Sequence, residues 1–79
     1  MTVTVRLFSH FMKYLPSETE QDTWCVNLAT DTTVADLLTR LGLPSDIDRV
    51  ITINDENQTE DVLLQEGDVL KVFPVAMGG

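Results

Sequence analysis

The sequence has little of what most catalytic and metal-binding sites require. Its 79 residues include one histidine, His10, and one cysteine, Cys25. A single cysteine cannot form an internal disulfide, and one histidine with one cysteine does not supply the ligand set of a zinc site. A cysteine–histidine dyad would need adjacent side chains, but His10 precedes a loop and Cys25 lies within a predicted strand. We therefore expect no catalytic nucleophile and no metal site.

Basic residues are also scarce. The chain has 5 Lys and Arg and 13 Asp and Glu, which gives a formal net charge of -8. A surface this acidic repels phosphate backbones, so we expect no nucleic-acid partner. The sequence has no apolar run of membrane-spanning length and no cationic leader, and a lone cysteine fits a reducing compartment. These absences predict a cytoplasmic protein that does not bind a membrane.

The numerous carboxylates do not form a recognisable ligand motif. The D-x-D-x-D-G run of a calcium loop is absent, as are G-x-G-x-x-G and the Walker sequence. The acids lie mostly in predicted loops, where they are most simply interpreted as solvated charge. The loop acids interpreted in this way are Glu18, Glu20, Asp22, Asp46, Asp48, Asp55, Glu56, Glu60 and Asp61, nine of the 13.

What the sequence does contain is a set of short alternating segments, which predict strands. The predicted strands are residues 2–8 (TVTVRLF), 23–29 (TWCVNLA), 49–54 (RVITIN) and 69–73 (VLKVF). In the first strand Arg6 should face solvent with Phe8, which places Val3, Val5 and Leu7 in the core. Residues 9–16 predict a short irregular helix or a wide loop. Residues 55–58 predict a turn, and residues 62–68 a further short strand or turn before a tight bend at Gly67.

One segment, TDTTVADLLTRLGLP, has clear helical character. Thr33 is a candidate N-cap, and Asp36 follows three residues later as in a capping box. Gly42 is expected to end the helix, with Pro44 beyond it. One apolar stripe at helical spacing consists of Val34, Leu37, Leu38 and Leu41.

This order of elements predicts a small α+β domain, a mixed sheet of four to five strands with one main helix packed across one face. A single helix leaves the other face of the sheet open. In the simplest closed arrangement the last strand lies beside the first, in parallel. Phe8 and Phe73 would then be neighbours on the open face as a candidate contact patch, with Val69 on the same strand. The alternative is that these are scattered surface apolar residues.

The last residues are the second feature that could carry a function. Pro74 is expected to end the last strand, so that residues 1–74 form the domain and residues 75–79 a flexible tail that ends in Gly-Gly. Glycine lacks a Cβ, so such a tail could enter a narrow channel and present an unhindered α-carboxyl. From the residues alone, two interpretations remain: an incidental chain end, or a carboxyl that a partner activates.

Several segments together resemble the MoaD/ThiS family of ubiquitin-like sulfur carriers. These are VTVRLF, KYLP, TVADLLTRLGLP, LLQEGDVLKVFP and the terminal GG. The most specific is the pattern G-D-x-apolar-x-apolar-F-P, followed after a few residues by Gly-Gly. The resemblance covers essentially the whole chain and implies a ubiquitin-like β-grasp fold.

The resemblance also implies a function and a set of site residues. In this family an ATP-using enzyme adenylates the C-terminal glycine, which then receives sulfur as a thiocarboxylate. Gly79 would be the sulfur-bearing residue, and Gly78 and Met77 would thread into the partner. The implied docking residues are Phe73, Phe8, Val69 and Pro74.

The Phe-Pro before the tail is more typical of the MoaD branch, whose members are the small subunit of molybdopterin synthase. The implied partners are a MoaE-like large subunit, a MoeB-like adenylyltransferase and a sulfur donor protein. The chain would not be catalytic alone and would bind no cofactor itself, because the adenylating enzyme uses the ATP.

Three departures from the family pattern leave the sulfur acceptor open. Val75 replaces a second proline, Met77 stands where a small residue is usual, and NDEN replaces an Asn-Gly turn. The acceptor could be molybdopterin, its tungsten counterpart, thiamine thiazole as in ThiS-like carriers, or another sulfur acceptor. An Urm1-like modifier that forms isopeptides with lysines, and an interaction domain with an inert tail, are the alternative hypotheses.

Overall fold

The computed structural model describes residues 1–17, 19 and 22–75. Within them a 3₁₀ helix, Ser9–Tyr14, and one α-helix, α1 (Val34–Leu41), accompany a five-stranded sheet. The strands are β1 (Thr2–Leu7), β2 (Thr23–Asn27), β3 (Arg49–Ile53), β4 (Glu56–Asn57) and β5 (Val69–Pro74). The predictions for Met77, Gly78 and Gly79, and the interpretation of Glu18 and Glu20, lie outside the described residues.

The sheet is mixed, with the strand order β2-β1-β5-β3-β4. β5 lies beside β1 in parallel, with Thr4 opposite Val69 and Leu7 opposite Val72. The other neighbouring strands are antiparallel. The parallel insertion of the last strand beside the first is therefore confirmed, and the arrangement is the β-grasp architecture that the resemblance implies.

The core lies between the sheet and α1, and the alternation of the strands selects its residues. Residues Val3, Val5 and Leu7 of β1 are buried, as predicted, and so are Leu70 and Val72 of β5. The core also includes Phe11 of the 3₁₀ helix, an element that contacts β1 and β5. The remaining members of the core are Val26, Leu28, Val34, Leu37, Leu38, Leu43, Ile51, Ile53 and Leu64.

Both ends of α1 are closed as the sequence predicts. The Thr33 side chain accepts a hydrogen bond from the Asp36 backbone N at 3.1 Å, and the Asp36 carboxylate accepts one from the Thr33 backbone N at 3.2 Å. This is a capping box with Asp in place of Glu. Gly42 ends the helix in the left-handed conformation, with φ of 84°. No helix in the described part of the chain is both long enough and apolar enough to cross a membrane.

The second hairpin differs from the prediction. The turn consists of Asn54 and Asp55, whose φ values of 53° and 70° are both positive, as a type I′ turn requires. Glu56 and Asn57, expected to be part of the turn, instead form β4 and pair with β3. Within residues 62–68 the structure has only a single bridge, between Leu63 and Thr33, before the bend at Gly67. A strand of two residues has no periodicity from which it could be predicted.

The ends of the longer strands also differ slightly from the prediction. β5 extends through Pro74, which lies opposite Arg49, whereas the strand was predicted to end before the proline. A proline at the end of a strand lacks only its N–H donor, so it can close the ladder. β1 and β3 each end one residue earlier than predicted, at Leu7 and Ile53, and β2 ends two residues earlier, at Asn27.

Candidate docking surface

Phe8 and Phe73 form a stacked pair on the sheet face opposite the core. Their ring centroids lie 4.5 Å apart and their planes differ by 9°. The parallel register of β1 and β5 places them together, because Leu7 lies opposite Val72 and the next residue of each chain segment is a phenylalanine. The Phe8 backbone N also donates to the Val72 carbonyl at 3.3 Å. The predicted contact between Phe8 and Phe73 is therefore confirmed.

The two rings are half-buried rather than exposed, because they cover each other and Arg6 covers Phe8. The Arg6 guanidinium carbon lies 5.0 Å from the centroid of the Phe8 ring, and its Nη2 lies 3.0 Å from the Asp22 carboxylate. The hydrogen bonds from Arg6 and from Thr23 lower the pKa of Asp22. Asp22 was interpreted as solvated charge, but it orients the guanidinium that closes one side of the stack.

A further apolar residue extends this surface. Val50 of β3 lies directly opposite Phe73 in the antiparallel register, and 41% of its surface is exposed. We refer to Phe8, Val50 and Phe73 as the apolar patch. The sequence reasoning did not identify Val50, because four consecutive β-branched residues gave no assignment of the faces of β3. The signal was Thr52, which shares a face with Val50 while Ile51 and Ile53 point to the core.

The structure does not bring Val69 to this patch. Val69 begins β5, opposite Thr4, and lies four residue steps along the strand from Phe73, a distance of about 13 Å. Lys71 lies between them, and its Nζ lies 2.9 Å from the Asp55 carboxylate. This contact lowers the pKa of Asp55, another acid interpreted as solvated charge. The docking role assigned to Val69 remains a prediction.

Pro74, at the end of β5, lies opposite a strongly anchored residue. Arg49 pairs with Pro74, and the Arg49 side chain is only 6% exposed. Its Nε and Nη2 each donate to one carboxylate oxygen of Glu60 at 2.7 Å, and Nη1 donates to the Pro44 carbonyl. This contact lowers the pKa of Glu60 and raises that of Arg49. The interpretation of Glu60 as solvated charge is therefore wrong: it fixes the end of β3 that lies beside the end of β5.

His10 and Cys25 have no part in this surface. His10 is exposed on the 3₁₀ helix, with its ring edge-on to that of Phe11 at 4.9 Å. Cys25 is a free, exposed residue in the middle of β2, and its Sγ lies 3.8 Å from the Thr4 hydroxyl. Across residues 1–17, 19 and 22–75, no group of three His, Cys, Asp or Glu side chains could hold a metal ion.

Comparisons with known proteins agree with this architecture. Residues 1–78 match the family model described as Mut7-C ubiquitin. No curated protein matches the sequence significantly. Among solved structures, SAMP1 from Haloferax volcanii is similar with a TM-score of 0.75 and 24% identity, over 100% of both chains.

Two further solved structures are similar. The putative molybdopterin converting factor subunit 1 from Pyrococcus furiosus has a TM-score of 0.72 and 24% identity, over 95% of this chain and 98% of that chain. A chain in the complex of subunits 1 and 2 of the molybdopterin-converting factor from Helicobacter pylori has a TM-score of 0.61 and 22% identity, over 100% of both chains. These likenesses confirm the β-grasp fold. The family match over residues 1–78 shows that the chain belongs to the Mut7-C ubiquitin family.

Proposed function

We propose that the chain is a sulfur carrier whose C-terminal glycine, Gly79, is adenylated and converted to a thiocarboxylate. One observation carries the proposal: Phe73 of the apolar patch lies on β5, directly before Pro74 and the last five residues of the chain. A partner that binds the patch also fixes the direction in which those residues leave the sheet. Gly78 and Met77 then thread into the partner, with Gly79 at its reacting centre.

The proposed chemistry needs no catalytic side chain from this protein. A carboxylate oxygen of Gly79 attacks the α-phosphorus of ATP bound to a MoeB-like adenylyltransferase, which releases pyrophosphate and leaves an acyl adenylate. Hydrosulfide released by the donor protein attacks the carbonyl carbon, the bond from that carbon to the AMP oxygen breaks, and AMP leaves a thiocarboxylate at Gly79. Two consecutive glycines leave this carbonyl unhindered, because neither has a Cβ. The chain binds no cofactor of its own in this scheme.

Within this role we propose the more specific function of the small subunit of molybdopterin synthase, with a MoaE-like large subunit bound to the apolar patch. The Phe73-Pro74 pair supports this choice, as does the likeness to the subunit 1 structures. In the Helicobacter pylori structure, subunit 1 is in complex with subunit 2. Thiamine thiazole is the alternative sulfur acceptor.

A second candidate function is protein modification. It is favoured by the likeness to SAMP1 from Haloferax volcanii. A second solved structure, of small archaeal modifier protein 1 from the same organism, is also similar, with a TM-score of 0.72. Here the amine of a target lysine, rather than a sulfur nucleophile, attacks the acyl adenylate at Gly79, and AMP leaves as an isopeptide forms.

The test of the carrier function is the intact mass of the chain after incubation with a MoeB-like adenylyltransferase, ATP and sulfide. The mass should rise by the difference between sulfur and oxygen. Deletion of Gly79 should abolish this shift, whereas Cys25→Ser should retain it. A shift that persists without Gly79, or that requires Cys25, contradicts a thiocarboxylate at the terminus.

The partner and the acceptor require a different measurement. Co-purification of the chain from its native host should recover a MoaE-like subunit, together with a chain that carries the thiocarboxylate mass. Recovery with thiamine-thiazole enzymes instead would contradict the molybdopterin role. High-mass adducts that disappear on deletion of Gly79, with no thiocarboxylate, would favour the modifier.

A further inference from the structure

The backbone hydrogen bonds between β1 and β2 define which groups of β2 face its free edge. Met1 and Leu28 exchange both backbone bonds, each at 2.8 Å. The Leu7 backbone N donates to the Asp22 carbonyl at 3.3 Å. In an antiparallel pair, alternate residues direct their backbone groups toward the partner strand and away from it. The register therefore makes every second residue of β2, counted from Leu28, a bonding partner of β1.

By this alternation, Trp24 and Val26 bond to β1, and the residues between them point their N–H and C=O groups away from the sheet. β2 is the first strand in the sheet order, so among the described residues no strand lies on that side. No hydrogen bond within the described part of the chain uses these backbone groups. The residues concerned are Thr23, Cys25 and Asn27.

This edge lacks the features with which sheet proteins usually prevent edge-to-edge pairing. Such features are charged side chains, proline, a bulge, or a very short edge strand. Residues Thr23–Asn27 contain no charge and no proline, and they pair with β1 in five consecutive positions without a bulge. The other edge strand, β4, has two residues. The two edges therefore differ, and within the described residues β2 is the edge strand long enough to pair with a strand of another chain.

We propose that β2 is an interface between two copies of this chain, which pair antiparallel through their β2 edges about a two-fold axis at Cys25. The outward residues are symmetric about Cys25, so each Cys25 exchanges backbone bonds with Cys25 of the second copy. Thr23 likewise pairs with Asn27 of the second copy. The two sheets become one continuous sheet, and the contact is isologous and closed.

The side chains of this strand favour a second copy of the chain as the occupant. Neutral polar Thr23 and Asn27 face each other across the junction, so no like charges are opposed. On the other face, half-buried Trp24 lies beside Val26 of the second copy, which removes apolar surface from water. The nearest patch residue, Phe8, follows β1, and β2 lies between β1 and the interface, so the interface leaves the apolar patch uncovered.

The interface is expected to be weak and sensitive to salt. A single strand-to-strand contact buries little surface compared with a stable dimer interface. Each copy has a formal net charge of -8, so long-range repulsion opposes association. Added salt screens this repulsion and should strengthen the dimer.

The experiment combines sedimentation of the full chain with amide-resolved hydrogen exchange by NMR, from about 10 μM to about 1 mM, where weak interfaces associate. We expect a monomer–dimer equilibrium that shifts toward dimer with salt. The amides of Thr23, Cys25 and Asn27 should exchange rapidly at low concentration and become protected as the dimer forms. The amides of Trp24 and Val26 should be protected throughout, because β1 holds them. A chain that remains monomeric at high salt and high concentration overturns the proposal, as does a dimer in which the first three amides stay unprotected.

A pair of variants tests the location of the interface. Cys25→Lys places two ammonium groups on the two-fold axis and should lower the association constant about tenfold or more, since like charges oppose each other there. Asn57→Lys makes the same change of charge on β4 and should leave association unchanged or slightly stronger. Equal association of both variants overturns the proposal. So does a dimer that Phe73→Ala abolishes, because the contact would then lie on the apolar patch.

Discussion

Arg49 and Glu60 share two hydrogen bonds in a fork-to-fork geometry, with both nitrogen–oxygen distances at 2.7 Å. The pair joins the first residue of β3 to a loop eleven residues away. The Arg49 side chain is 6% exposed and that of Glu60 is 35% exposed. The guanidinium has therefore lost most of its hydration, and hydrogen bonds to the Glu60 carboxylate replace those to water.

The variant Glu60→Gln should destabilise the fold. An amide offers one neutral acceptor in place of a carboxylate, so the buried guanidinium keeps a weaker partner. We expect the free energy of unfolding to fall by about 1–3 kcal/mol, measured by urea denaturation at pH 7. Glu56→Gln removes an exposed acid from β4 and should change it by about 0.5 kcal/mol or less. Equal effects of the two variants would show that the Arg49 contact does not stabilise the fold.

The ion pairs also predict how stability depends on pH. The folded pKa of Glu60 is lowered by Arg49, and that of Asp22 by Arg6. Lowered folded pKa values mean that the stabilisation is fully present above the unfolded-state values, about 4, and is lost as pH falls through the folded values. The urea midpoint should therefore be constant near neutral pH and decrease below about pH 4. In Glu60→Gln the decrease should be shallower, and an identical pH profile would exclude Glu60 as a contributor.

The capping box of α1 gives a third prediction. Thr33→Ala removes the acceptor of the Asp36 backbone N and should lower the free energy of unfolding by about 0.5–2 kcal/mol. Thr33→Ser keeps the hydroxyl and should retain most of the stability. Thermal and urea denaturation of both variants provide the measurement. A loss of similar size in Thr33→Ser would assign the effect to the threonine methyl group instead.

The apolar patch gives a fourth prediction, which concerns binding. Phe73→Ala removes the ring stacked on Phe8 and should weaken binding to a MoaE-like subunit about tenfold or more, as expected for a central aromatic contact. Leu63→Ala truncates another exposed apolar side chain, on a loop beyond β4, and should leave binding unchanged. Calorimetry with both variants gives the comparison. Similar losses in the two variants would place the interface away from the patch.

The parts of the fold that follow from local chemistry could be predicted from the sequence. Alternation fixed the buried face of β1, and the Thr33 and Asp36 side chains fixed the start of α1. The contact between Phe8 and Phe73 followed once β5 was placed beside β1 in parallel. β4 could not be predicted, because its position depends on a turn in which Asn54 and Asp55 both adopt positive φ without a glycine.

The ion pairs were missed for a different reason. Arg6 and Asp22 are 16 residues apart in the sequence, and so are Lys71 and Asp55. Such pairs depend on which strands become neighbours and on where the loops between them end. A surface acid and a paired acid therefore look identical in the sequence. Val50 was missed because four consecutive β-branched residues obscure the alternation of β3, in which Thr52 was the one signal for the outward face.

The position of β5 between β1 and β3 has a mechanical consequence for the residues beyond Pro74. A force that pulls those residues along the strand direction acts on β5, whose backbone bonds run sideways to β1 on one side and to β3 on the other. Both ladders are then loaded in shear, so their bonds resist together instead of opening one after another. Arg49, anchored by Glu60, holds the last position of the β3 ladder. A partner that pulls on the residues beyond Pro74 therefore loads both ladders of β5 at once, and the strand resists separation from the sheet.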